Sequence, residues 1–274
     1  VHLSTPRNID PEKEIVMHPI ARRIPLMGFI LAAVLNVVAC TPKPPESADP
    51  ATAEFCAGYL TATQAFLKSP ITGDPEVVER MDKAEIMAEA GKLAADVNAV
   101  QAVAPEELIE VMAKVSSIFD AAASSGDPAM LQDETLMTES GAIDVWAYDH
   151  CGWPQVPVTA TDFALEGIPD TLAAGTTAFK LINDSEAEQH VLLITRRQPG
   201  VTGSAEDILS QEGDVFQSDL ELVAATGAAP GTAAGAAVEL TPGDYIAFCP
   251  LPLGDPSEGK LHYTLGEYSE FTVE

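Results

Sequence analysis

Leu240-Thr-Pro-Gly-Asp-Tyr-Ile-Ala-Phe-Cys249 is the stretch on which the fold turns. Pro242-Gly243 makes a turn, and Asp244 to Phe248 reads as a strand that delivers a thiol at its end. Downstream, His262-Tyr-Thr-Leu-Gly266-Glu267 leads into a terminal strand, Glu270-Phe-Thr-Val273. Upstream, the run from Phe179 through Asn183 ends on His190, which opens the apolar run Val191-Leu-Leu-Ile194. A thiol and two imidazoles therefore stand at the borders of strands, in the order His190, Cys249, His262.

The rest of this half supports a β-rich reading. Val156–Phe163, Thr177–Ile182, Gln189–Thr195 and Ala237–Leu240 are short and rich in threonine, valine and aromatics, with Gly, Pro and Asp between them. Ala205–Gln211 predicts a turn or two of helix. Ala224–Ala237, built of Ala, Gly, Thr and Pro, reads as a flexible loop. Six or seven short strands predict a β-sandwich.

Residues 155–274 resemble the cupredoxin (plastocyanin, or blue-copper-type) family. The resemblance is carried by Leu172-Ala-Ala-Gly175 before a strand, by Asn183 ahead of His190, by Pro242-Gly243-Asp-Tyr245 leading to Cys249, and by His262 with Gly266 ahead of the last strand. It implies a Greek-key β-sandwich that holds copper and passes single electrons. The implied ligands are His190, Cys249 and His262, with Glu267 in the axial place where a methionine is usual. A soft thiolate favours Cu(I), imidazoles suit both oxidation states, and a weak axial ligand changes little between them. A carboxylate is harder and favours Cu(II). Twelve residues separate Cys249 from His262, a long loop for an electron-transfer cupredoxin and one expected to hold the two ligands less rigidly.

Each residue also has an ordinary reading. A histidine opening a buried strand is often a satisfied polar residue, and a cysteine ending one is often core. Two functions stay open: a copper-binding or electron-transfer module, and a metal-free cupredoxin-like scaffold that binds a protein or small-molecule partner.

The first half reads as helical. Ala51–Leu67 places Phe55, Tyr59, Leu60, Thr63, Phe66 and Leu67 on one stripe. Asp74-Pro75-Glu76 is a helix start for a segment running through Val100. Pro105-Glu-Glu opens another, with Leu108, Val111, Met112, Val115, Ile118 and Phe119 at three-to-four spacing. Asp127-Pro128 begins a short helix, and a last one around Ile143–Tyr148 stops at Gly152-Trp-Pro154. The resulting expectation is α + β in separate domains: a helical, disulfide-closed bundle over residues 52–154 and the sandwich over 155–274.

Residues 1–39 read as a leader with a lipoprotein signal peptide. Arg22-Arg23 precede an apolar run, Ile24–Ala39, and Val37-Val-Ala-Cys40 resembles a bacterial lipobox. The resemblance implies that Cys40 is lipidated, palmitate included, and becomes the mature N-terminus. An uncleaved membrane anchor is the alternative, but the run is short for a span. Residues 40–51 are proline-rich and predict a semi-rigid tether of about 3 Å per residue. The expected location is the cell envelope, at the outer membrane or cell surface, facing an oxidising compartment. With Cys40 taken by lipid, Cys56, Cys151 and Cys249 cannot all pair. Cys56 and Cys151 bracket the helical region and predict a disulfide, leaving Cys249 free for a metal.

The chain carries 14 Lys+Arg against 42 Asp+Glu, a net charge of −28. Such a surface repels phosphate backbones, which excludes nucleic acid and leaves a basic redox partner protein as the compatible class. No metalloprotease, phosphate-loop or nucleophile-elbow motif is present, so the chain is not expected to be an enzyme. His150, beside Cys151, reads as an exposed loop residue.

Overall fold

The computed structural model describes residues 50–73, 75–132, 134–211, 218–254 and 259–274. The leader, Cys40, the tether through 49, the expected helix cap Asp74 and the tip of the Cys249-to-His262 loop lie outside the described residues. No helix among the described residues is long and apolar enough to cross a membrane.

Among the described residues five α-helices come first: α1 (Pro50–Lys68), α2 (Pro75–Arg80), α3 (Lys83–Ala102), α4 (Ile109–Ser125) and α5 (Glu134–His150). The segment from Pro75 through Val100 is two helices, not one. Asp82 restarts the chain: its carboxylate accepts the Glu85 N–H at 2.9 Å, while Glu85 accepts the Asp82 N–H at 2.8 Å. This reciprocal cap satisfies donors that a helix start leaves bare. The last helix begins nine residues before the expected Ile143 and carries Gly141 within it. Apolar side chains from these helices, among them Phe55, Leu93, Met112, Phe119 and Ile143, share one core. Cys56 of α1 and Cys151 just past α5 form a disulfide. His150 is helical, not part of a loop; it is exposed and stacks on Trp146 at 4.4 Å.

Among the described residues the β half has nine strands: β1 (Gln155–Thr161), β2 (Ala164–Glu166), β3 (Thr171–Leu172), β4 (Gly175–Asn183), β5 (His190–Arg197), β6 (Leu220–Ala228), β7 (Ala233–Leu240), β8 (Gly243–Phe248) and β9 (Tyr268–Val273), with the short helix α6 (Ala205–Leu209) after β5. One sheet runs β2-β1-β4-β7, the other β3-β9-β8-β5-β6. Residues from both, including Val158, Phe179, Leu192, Ile194, Tyr245 and Phe271, fill the space between them. The turn before β8 is locked by Tyr245, whose hydroxyl donates to the Thr241 carbonyl at 2.8 Å and accepts its N–H at 3.1 Å.

Ala224–Ala237 is not a loop. It forms most of β6, the turn at 229–232 and half of β7. The small side chains of β7 serve close packing on both faces. Ala234, Ala236 and Val238 point into the sandwich core, while Ala237 belongs to the helical core. Gly235 lies against α5 so closely that a Cβ there would stand 2.7 Å from the Asp144 carbonyl oxygen. Lys180 of β4 adds an ion pair to Asp149 at 3.0 Å. Helical and sheet layers thus pack directly on each other within one compact unit that contains every described residue.

Candidate metal centre

Strand register brings the chemistry together. β8 pairs with β5 at Leu193–Phe248 and with β9 at Phe248–Tyr268. One step beyond, Cys249 lies beside Glu267, and its N–H donates to the Glu267 carbonyl at 3.1 Å. On the other side the Val191 N–H points at Cys249 Sγ, 3.3 Å away, which places His190 at the same end of the sandwich. His262 opens a 3-10 turn, His262–Leu265, whose Gly266 terminus has the left-handed φ of 113° that favours glycine. The Glu267 N–H closes that turn on the His262 carbonyl at 3.2 Å.

The long loop is tied at its base. Pro252 and Leu261 form an antiparallel bridge. Leu251 accepts the His262 N–H at 2.8 Å, and Cys249 accepts the Tyr263 N–H at 3.1 Å. Loop length therefore does not translate into loosely held ligands, because the backbone bonds sit next to both of them.

Ligand atoms from His190, Cys249, His262 and Glu267 lie within 4.8 Å of one another. All four residues are fully buried. Glu267 does not face solvent: Oε1 lies 2.7 Å from His190 Nδ1 and Oε2 lies 3.0 Å from His262 Nδ1. Sγ of Cys249 is 3.5 Å from the same His262 nitrogen. Despite these short distances, both carboxylate oxygens and His190 Nδ1 lack the geometry of a hydrogen bond. Buried polar atoms are rarely left so. Close approach without hydrogen-bond alignment is what donors have when they converge on a shared centre.

Electrostatics point the same way. Burial pushes the Glu267 carboxyl up to about 8, with the charge of Asp162 adding to the effect and a Cys249 contact opposing it. Burial likewise pushes the Cys249 thiol up to about 11, against the lowering influence of the Val191 and Leu251 N–H groups. Both imidazoles are held below their ordinary range, again by burial. Without a cation the site favours four neutral groups; a bound metal ion reverses that preference and displaces the protons. A thiolate, two imidazoles and one carboxylate form a donor set that fits copper or another borderline divalent ion.

Three neighbours complete the surroundings, and the sequence alone did not single them out. Phe163 has φ of 66°, a left-handed backbone uncommon for a bulky residue, and meets His262 edge-on at 5.4 Å. Asp162 and Glu188 carry charges close enough to act on both imidazoles. None belongs to a recognisable spacing, so only the fold reveals them.

No protein-family model and no curated protein matches the chain. Among solved structures, the likeness covers the C-terminal part and runs to cupredoxins. Dithionite-reduced auracyanin from the photosynthetic bacterium Roseiflexus castenholzii is 19% identical, with 44% of this chain and 96% of that chain covered and a TM-score of 0.30. Auracyanin A, a "blue" copper protein from the green thermophilic photosynthetic bacterium Chloroflexus aurantiacus, is 21% identical over 43% and 99%, at 0.28. Rusticyanin from Thiobacillus ferrooxidans is 20% identical over 44% and 77%, at 0.27.

Proposed function

We propose that the sandwich is a copper-binding, electron-transfer module held by His190, Cys249, His262 and Glu267. The observation that carries this is the convergence of four buried ligand atoms within 4.8 Å. Each imidazole turns Nδ1 toward the cluster, and the thiol and carboxylate supply the negative charge that a cation needs in a dry site. Bound copper would supply one-electron chemistry. The protein's part is to exclude water, to keep the ligands in place through strand register, and to bias the oxidation state through Glu267. The helical half is proposed as a disulfide-closed domain that braces the β2-β1-β4-β7 sheet.

The test is metal uptake by the full chain. One copper per chain is expected from equilibrium dialysis, and Cys249→Ser should abolish tight binding. A wild-type chain that dialyses free of copper leaves the metal-free, partner-binding scaffold as the function.

The anchoring proposal rests on the signal architecture ending at Cys40. Lipid on Cys40 would hold the module at the cell envelope, where its acidic surface suits a basic redox partner and disfavours nucleic acid. Cys40→Ser should release the protein from membranes and remove palmitate label; unchanged membrane retention would refute the anchor.

A further inference from the structure

We propose that Glu188 is a positioning residue for His262: its carboxylate receives the outer ring N–H, Nε2–H, and thereby keeps Nδ1 turned to the metal. The inference rests on the copper reading above and concerns a residue outside the ligand set.

The side chain of His262 is only 1% exposed, and its Nε2 has no hydrogen-bond partner. A buried ring nitrogen left without a partner is costly, so a partner is to be expected. The group that faces it is Glu188, with Oε2 4.0 Å from Nε2. That gap exceeds a hydrogen bond by about an ångström. The Glu188 side chain is 33% exposed, and a rotation that closes this gap is what the proposal requires.

The main chain under Glu188 is fixed. Its carbonyl accepts from Asn183 Nδ2 at 2.9 Å and its N–H donates to Ser185 Oγ at 3.1 Å. Ser185 in turn donates its N–H to Asn183 Oδ1 at 2.9 Å and its hydroxyl to Asp162 Oδ1 at 2.8 Å. Asn183 is anchored to the opposite side by Nδ2 donating to the Ala228 carbonyl at 2.9 Å. The short segment between β4 and β5 is therefore built as a bracket, and Glu188 is the acid that it presents to His262.

Two consequences follow when Nδ1 binds metal. The remaining proton sits on Nε2, and a carboxylate accepting it fixes the ring plane and raises the basicity of the ligand. The negative charge also favours the more positive metal state. Glu188→Gln separates these effects, because its amide oxygen still accepts the N–H while the charge is gone. Glu188→Ala removes both.

The experiment uses the full chain loaded with copper. In the diamagnetic Cu(I) form, the His262 Nε2–H should be visible by NMR and exchange slowly with water in wild type and in Glu188→Gln. In Glu188→Ala it should exchange at least tenfold faster, and copper affinity should fall about tenfold, the lower end for loss of such a partner. The reduction potential should rise in both variants. Equal exchange in wild type and Glu188→Ala, or equal affinity, overturns the positioning role while leaving the copper site intact. A wild-type chain that takes up no copper overturns both readings together.

Discussion

Oε1 of Glu267 lies 2.7 Å from Nδ1 of His190 in the interior of the protein, and no hydrogen bond joins them. Two groups with strong hydration in water have been buried together without an aligned hydrogen bond between them. The second oxygen stands in the same relation to His262, at 3.0 Å. Such an arrangement is unfavourable for an empty polar pair and favourable around a cation. Glu267 thereby belongs with the residues that could hold a metal ion.

Replacing this carboxylate should change the electronic character of the centre. Glu267→Met exchanges a hard ligand for a soft, weak one, so copper in the variant should have a higher reduction potential and a stronger blue absorption band. Wild type should be yellow-green to weakly blue, with Cu(II) favoured. Spectroelectrochemistry on both proteins reads the difference; matching potentials would remove Glu267 from the ligand set.

Asp144 should make stability depend on pH. Tyr59 donates to its carboxylate at 2.5 Å, and burial raises the Asp144 pKa to about 7. The folded state thus holds this proton more tightly than the unfolded chain, whose aspartate ionises near pH 4. Stability from this group is complete below about pH 4, declines as pH rises to about 7, and is constant above. Asp144→Asn removes the dependence. The wild-type protein should lose stability relative to the variant by on the order of 2–4 kcal/mol between pH 4 and 8. Denaturant midpoints that differ equally at both ends would contradict the assignment.

The Cys56–Cys151 crosslink spans 95 residues. Removing it with a double serine substitution should cost about 2–5 kcal/mol in unfolding free energy. The copper spectrum of the folded variant should be unchanged, since the bridge lies in the helical core. A spectrum that shifts with the disulfide would mean that the two halves are coupled at the metal.

Gly235 should tolerate no side chain. Its Cβ position is 2.7 Å from the carbonyl oxygen and 2.8 Å from the carbonyl carbon of Asp144, and backbone cannot swing aside as a side chain can. Gly235→Val is expected to destabilise by about 1–3 kcal/mol or more, whereas Gly91→Ala, in open space on α3 with ordinary helical backbone, should be neutral or slightly stabilising. Thermal unfolding of the two variants gives the comparison; equal losses would argue against close docking of α5 on β7.

The legible part of this molecule was its apolar strands and what stood at their ends. Thr177–Ile182 and Asp244–Phe248 read correctly as strands because β-branched and aromatic residues fill a two-sided core there. His190, Cys249 and His262 were visible because strand borders deliver them. What misled was small size. Ala233–Ala237 looks like linker by composition, yet it is small because a helix backbone rests on one side and a core on the other. The break between α2 and α3 did carry a local signal, Asp82-Lys-Ala-Glu85, a reciprocal cap in the middle of an alanine-rich run. Glu188 and Asp162 had none, since one acid among 42 Asp+Glu is not distinguishable by spacing. The resemblance puts Glu267 at the axial place, but that it faces inward is visible only from the β8–β9 register.

The most direct test of the account is the copper coordination shell in the loaded full-length protein, measured by X-ray absorption at the copper edge. One sulfur, two imidazole nitrogens and an additional oxygen are expected, with the sulfur lost in Cys249→Ser and the oxygen lost in Glu267→Met. A shell of nitrogen and oxygen alone in the wild-type protein, unchanged by either substitution, would place the copper elsewhere and contradict the site.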